Sequence, residues 1–358
     1  MARLGPNLRT SYLESNAVFP HPHQKLLLGL VLAAAATLPA VASMFFVHLM
    51  NLCFLAAIGA LGLAILTGFC GQISLGHAAF LAVGAFTTVI LDVHAGLTFV
   101  LVVPAAAIAG ATLGFIVGLP SLRFRGVYLA ISTLAMHYAI IFLATTYQAK
   151  FGSSASAGIT IPDPSIGPLV LRGDYAWYYF LLAFLALAAA FCTNLARTRP
   201  GRAWMAIRDR DIAAAALGVD LTRYKLAAFM ASSTLASISG SLLAYYSNVV
   251  TIEKFTLDLA VIYLAMIVVG GMGSILGTVM GAMFITLLPY GIDFLFGFLP
   301  RSWRFGSILF GVEVGAVGVC VVLFLLFEPK GLVEIWRRIE IYFDRWPFRY
   351  RPLDAMRR

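Results

Sequence analysis

The stretch RPGRAWMAIRDRDIAAAALGVDLTRYK, residues 199–225, is the longest polar interruption in the second half of a chain that is otherwise nearly all apolar. With Arg197 on its border it holds Arg199, Arg202, Arg208, Arg210, Arg223 and Lys225. A charged side chain at a bilayer centre costs roughly 2.5–3.5 kcal/mol on insertion scales, so this segment does not span a membrane. Pro200 suits a first helical turn. The run Gly201 to Arg208 carries helix formers with apolar Ala203, Met205, Ala206 and Ile207. Asp211 is placed to cap a second short helix, Ile212 to Leu217, with Gly218 as its stop. Two short helices held between membrane spans read as a docking element, with the rest of the chain as the channel that it operates.

The flanking sequence sets the class. The 358 residues are 61% hydrophobic and 11% charged, whereas soluble domains carry about 25% charged residues. The expected fold is an all-α polytopic membrane protein. A transmembrane helix needs about 20 apolar residues, and ten runs qualify as candidates: 26–47, 50–69, 74–91, 97–119, 127–147, 175–196, 226–248, 257–272, 275–290 and 307–327. The third, eighth and ninth are short or broken by glycine. Leu26 to Leu38 followed by Ala40-Val41-Ala42 has the look of a signal segment with a cleavage site. Because 25 residues precede it and the apolar run continues to Met50, it is read as an uncleaved first span.

Basic residues orient the spans. Ten crossings with cytoplasmic N and C termini place 20 of the 25 Lys and Arg inside, leaving Lys150, Arg172, Lys254, Arg301 and Arg304 outside. The organisation is then a cytoplasmic segment 1–25, a transmembrane domain 26–327 containing the coupling loop 197–225, and a basic cytoplasmic tail 328–358. The tail interleaves aromatics (Trp336, Tyr342, Phe343, Trp346, Phe348, Tyr350) with arginines. That pattern favours an amphipathic segment on the anionic inner leaflet over a nucleic-acid contact. The net charge of +9 is explained in the same way.

Small residues recur at four-residue spacing: Gly110, Gly114 and Gly118; Gly273, Gly277 and Gly281; Gly311 and Gly315. The spacing signals close backbone packing between helices. Ser74-Leu75-Gly76 and Ser274-Ile275-Leu276-Gly277 form a thin internal echo, and opposite senses for spans 2–5 and 7–10 fit an inverted repeat. The outer loop 148–174, rich in Gly, Ser and Pro, reads either as a floppy connection or as a lid or partner surface.

Catalytic patterns are absent. There is no GxxxxGK[ST], HExxH, CxxC pair or GxSxG, so the chain is read as a non-enzyme that does not hydrolyse ATP itself. Cys53, Cys70, Cys192 and Cys320 are scattered singly, as small core residues are, and offer neither metal spacing nor a disulfide framework. Glu313 is the one acid well inside a span, too little for an ion-driven carrier's relay. Ser74 and His77 share a helix face, as do Thr133 and His137. These four are candidates for a pathway for a small, partly apolar solute, with interhelical hydrogen bonding as the alternative.

Four blocks in order carry a family resemblance. They are Gly68 to Phe80 (GFCGQISLGHAAF) with Gly84-Ala85-Phe86; Leu119 to Arg123 with Gly126 to Ile131; Gly201 to Lys225; and Glu328 to Leu332. Together they resemble permease subunits of branched-chain amino acid ABC importers of the LivM type. The resemblance implies that 201–225 contains the coupling helix that docks on an ATPase. Ala213, Ala214 and Gly218 hold that helix's pattern, Ile212 replaces its usual Glu, and Arg202, Ala203, Ile207 and Asp211 belong to the same element. It further implies a second permease subunit, two ATP-binding subunits that carry ATP and Mg, a periplasmic solute-binding protein and a bacterial inner-membrane location, with no cofactor on this chain. The external protein would touch loop 148–174 or 291–306. Sibling permeases for urea, short amides or aromatic acids look alike. An ion-coupled carrier and a passive pore or scaffold are further alternatives.

Overall fold

The computed structural model describes residues 22–124, 126–152, 158–166, 169–297, 306–328 and 330–345. Residues up to His48 form one compact unit and those from Leu49 onward another. Of the sequence expectations, the N-terminal segment before Pro22, loop residues 298–305, the tail beyond Arg345 and the side chain of Glu313 lie outside the described residues.

The described chain is helical throughout its long elements. α1 covers Pro22–Val41 and α2 covers Met44–Leu63. α2 continues as a π-wound turn over Ala64–Phe69, every residue of which is buried. α3 (His77–Val89), α4 (Phe99–Ser121), α5 (Val127–Phe151) and α6 (Asp174–Arg197) follow, then α7 (Arg199–Ala216), α8 (Leu221–Ser247) and α9 (Leu257–Gly270). α10 (Ile275–Gly297), α11 (Gly306–Phe327) and α12 (Leu332–Arg345) complete the order. The first two expected spans shift their border: α1 ends at Val41 and α2 begins at Met44, not at residue 50. The proline at Pro39 lies in the last turn of α1, where it removes a backbone donor.

Seven helical segments among the described residues are long and apolar enough to cross a membrane: Met44–Phe69, His77–His94, Phe99–Pro120, Val127–Phe151, Asp174–Arg197, Leu221–Ser247 and Ile275–Phe294. The third and ninth expected spans therefore reach crossing length. The eighth does not, because α9 has 14 residues and rises only about 21 Å at 1.5 Å per residue, against a hydrocarbon core of about 30 Å.

α8 lies at the heart of the packing, against both α3 and α4. It carries Ser232, Ser233, Ser237, Ser239 and Ser241, all buried. Small side chains let neighbouring backbones close in. A Cβ at Gly84 of α3 would run into the Ser237 carbonyl, one at Gly110 of α4 into Ser237 Oγ, and one at Gly114 into Ser233 Oγ. The hydroxyls also bond across helices: Ser237 Oγ donates to Phe80 O and Ser239 Oγ to Leu55 O, both at 2.8 Å. Thr88 Oγ1 meets Ser241 Oγ at 2.6 Å. The first glycine series thus packs within the chain. The second packs α10 on α9, where Gly281 faces Met266 O and Gly277 faces Gly270 O. Gly311 and Gly315 of α11 meet nothing within 4 Å among the described residues.

The two ends of the bundle are distinct. At one end α7, the end of α2 and the α9–α10 turn meet, since a Cβ at Gly68 would lie 3.0 Å from Gly273 N. The turns at Ser74 and Ser274 therefore lie at the same end of the bundle. At the other end β1 (Ile159–Thr160) pairs antiparallel with β4 (Val249–Val250), Ile159 opposite Val250. β2 (Ser165–Ile166) pairs with β3 (Leu169–Val170).

This second end is strapped rather than floppy. Gln148 Oε1 accepts from Ile252 N at 2.8 Å. Asp163 accepts from Asn248 Nδ2 at 2.9 Å and from Arg172 Nε at 2.7 Å. Tyr246 donates to Asp174 Oδ1 at 2.7 Å, and Asn51 Nδ2 donates to Asp174 O at 2.9 Å.

Candidate functional site

α7 is two helices joined at Arg210, whose extended backbone (φ −157°, ψ 104°) interrupts the helical conformation. The first arm starts with Pro200 in its first turn. Its buried face is Gly201, Ala203, Trp204 and Ile207. Trp204 is 2% exposed, and its Nε1 donates to Tyr224 O at 2.8 Å, which fixes the arm to the start of α8. A buried indole N–H needs such a partner. The second arm begins at Asp211, whose carboxylate stands 3.9 Å from the buried Lys225 Nζ. It ends at Gly218, whose φ of +87° is a conformation glycine adopts freely. Gly218 N donates to Ala215 O and Val219 N to Ala214 O, both at 3.0 Å, closing the last turn. Asp220 then caps α8 by accepting from Arg223 N at 3.2 Å.

The coupling residues expected from sequence divide by face. Ala203, Ile207 and Ala214 are buried and hold the element to the bundle, Asp211 is half-buried, and Arg202, Ala213 and Gly218 are exposed. The apolar side chains that α7 offers outward are others: Ile212 is 73% and Leu217 85% exposed. Sequence reasoning treated Ile212 as a departure from a pattern and Leu217 as a helix end. The signal that points to both is a pair of large aliphatics five residues apart in a segment otherwise made of alanine.

In the sequence Arg208 is one basic residue among the seven of this stretch and its border. In the fold its Nη1 donates to Gly68 O at 2.5 Å, joining α7 to the end of α2. Beneath the second arm lies a cavity of about 670 Å³. Cys70, Gln72 and Leu129 line it from the bundle, Arg208, Arg210 and Asp211 from α7. Lys225 also reaches it.

The four pathway candidates are brought close to one another but not into one open channel. Ser74 Oγ accepts from Gly76 N at 3.3 Å. Leu75 N donates to Thr133 Oγ1 at 3.1 Å, so the turn before α3 rests on α5. Thr133 also donates to Ala130 O at 2.9 Å. His77 faces the opposite way, with Nε2 3.0 Å from Gly59 O and its ring against Tyr263 at 5.0 Å between centroids. Thr133 and His137 line a crevice with Gly76, Phe80, Val117 and Ile140 that is too tight to admit a water molecule. His137 Nδ1 is buried there without a hydrogen-bond partner. Ser74 and His77 are thus engaged in contacts within the packed helices, while Thr133 and His137 line a tight seam between α3 and α5. No group of three or more His, Cys, Asp or Glu able to hold a metal is found among the described residues.

These features define a multi-pass helical membrane protein with a structured polar element at one face. The chain belongs to the branched-chain amino acid transport system / permease component family, whose profile matches residues 45–325. It is 31% identical over 339 residues to the high-affinity branched-chain amino acid transport system permease protein LivM of Salmonella typhimurium, covering 88% of this chain and 76% of that one. The Escherichia coli protein of the same name matches with the same identity and coverage. A probable branched-chain amino acid transport permease protein LivM of Methanocaldococcus jannaschii is 26% identical over 245 residues, 64% of this chain and 67% of its own. No solved structure matches. The chain is accordingly a transporter permease subunit of the ABC importer type.

Proposed function

We propose that this chain forms part of the pathway for branched-chain amino acids in an ATP-driven importer of the bacterial inner membrane. ATP and Mg are bound and turned over on two separate subunits, and α7 is where one of them docks. A second permease subunit completes the pathway, and a periplasmic solute-binding protein delivers solute to the strapped end formed by 158–174 and 248–254. The proposed orientation, with both termini cytoplasmic, puts α7 on the cytoplasmic face.

The observation that carries this reading is the build of α7. Its inner face is locked to the bundle through Trp204, Arg208 and Ala214, while Ile212 and Leu217 stand in the open. Exposed aliphatics on a rigidly held helix are what a hydrophobic cleft on a partner would take up. The clustering of basic residues at the α7 end, with Lys150, Arg172 and Lys254 at the other, gives the same orientation. Ile212→Glu and Leu217→Glu each place a charge in that contact. Co-purification of the ATPase subunits with the permease is expected to fall in both, with the permease itself still inserted. Undiminished co-purification in both variants defeats the docking assignment. Uptake with leucine, urea, short amides and aromatic acids as competitors then identifies the solute class.

A further inference from the structure

We infer that Arg208 carries movement of α7 into the membrane-spanning helices, a role that rests on α7 being the ATPase-docking element. Two polar contacts of α7, Trp204 to Tyr224 and Asp211 to Lys225, go to α8, the next helix in the chain. They hold α7 in place. Arg208 instead reaches Gly68, 140 residues away in sequence.

Its surroundings are built from glycines of two other elements. A Cβ at Gly71 would sit 3.1 Å from Arg208 Cγ and 3.2 Å from its Cα, and a Cβ at Gly273 would strike Nη1. Gly71 and Gly273 both hold positive φ, +71° and +86°. Three bundle segments therefore converge on one arginine: the π-wound end of α2 and the α9–α10 turn on its guanidinium, and the 70–76 turn into α3 on its stem. The last of these also reaches Lys330, since a Cβ at Gly271 would strike Lys330 O.

The chemistry suits a transmitting contact. The last carbonyls of a helix lack intrahelical donors and carry partial negative charge. In the final turns of α2, Ile65 O takes the Cys70 N–H and Leu66 O takes the Gln72 N–H, and Gly68 O takes the guanidinium. Arginine remains charged at any working pH and presents a rigid fork, whereas lysine offers a single point charge. A charge-assisted bond of this kind is stronger than a neutral one. Displacing α7 pulls on, or releases, the α2 end and the α9–α10 turn together. The 70–76 turn bears on Thr133 through Leu75 N, so the same displacement is passed to the seam between α3 and α5.

The test uses the whole importer reconstituted in lipid nanodiscs. Subunit co-purification, basal ATPase and ATPase stimulated by solute-loaded binding protein are measured in parallel. Wild type without any stimulation removes the proposed function itself. With wild type stimulated, Arg208→Ala and Gly273→Ala are each expected to assemble and keep basal ATPase, while stimulation drops about tenfold, the scale of one lost hydrogen bond to a charged group. Arg208→Lys is expected to retain part of it. Both changes break the Arg208 contact, and Gly273→Ala adds backbone strain at its positive φ, so the double variant is expected to be no worse than Gly273→Ala alone, the signature of coupled sites. Stimulation within about twofold of wild type in assembled Arg208→Ala overturns the inference. Additive losses in the double variant also overturn it. Failure of all three single variants to assemble makes Arg208 a structural anchor and overturns it equally.

Discussion

Single residues in α7 do separable jobs, and the separation follows from burial. Trp204 contributes buried area and one hydrogen bond. Trp204→Phe keeps most of the area and loses the bond, a cost of about 1 kcal/mol. Trp204→Ala loses both, about 3–5 kcal/mol. Thermal unfolding of the purified protein in detergent should rank them in that order, and equal midpoints would show that the indole does not anchor α7. The basic count in 199–225 was legible from sequence, and so was the stop at Gly218, because both are local properties. That Arg208 differs from Arg202 or Arg223 was not legible. Its distinction depends on Gly68, Gly71 and Gly273, which approach it only once α2 and the α9–α10 turn are in place.

At the scale of elements, glycine spacing and tertiary contact tell different parts of one fact. Gly110 and Gly114 announce that something comes close. Only the fold names Ser233 and Ser237 of α8 as what comes. The serines of α8 carry the complementary four-residue rhythm, Ser233, Ser237 and Ser241, so the pairing had a signal on both sides. The strap between 159–166 and 248–252 had much less, because its strands are two residues long and its turn chemistry hid among Gly, Ser and Pro.

The strap makes a pH prediction. The Asn248 amide, then the Arg172 guanidinium, holds the Asp163 carboxyl below its ordinary value of 3.8. A depressed carboxylate contributes stability that is complete above the unfolded value and lost as pH falls through the folded one. The strap should therefore be closed at pH 5 and above, and loosen only below pH 3.8. Hydrogen exchange at Ile161 N, which donates to Asn248 O at 2.8 Å, reads this directly. Asp163→Asn should remove the pH dependence, and a transition near pH 6 would assign it to another group.

For the whole molecule, sidedness is the consequence that matters most. With α7 cytoplasmic, a cysteine at Ile212 should react with a membrane-impermeant maleimide in inverted vesicles and not in intact spheroplasts. A cysteine at Thr160 in β1 should do the reverse. Labelling of the Ile212 cysteine from outside would reverse the orientation and remove the ATPase-docking role with it.

What the amino-acid order determined alone was the solvent: 61% hydrophobic residues, apolar runs of helical crossing length, and a basic bias toward one side. Those are sums over local composition, and the cost of placing charge in hydrocarbon reads them without reference to any fold. The family resemblance added the kind of machine. The tertiary structure alone decided which glycine meets which serine, that His77 turns to Gly59 while Thr133 and His137 close a seam, and that α9 stops short of a full crossing before its glycine turn. The glycine–serine contacts join residues more than a hundred positions apart. Their energy depends on backbone separations of a few tenths of an ångström, and no local pattern encodes those until the helices have packed.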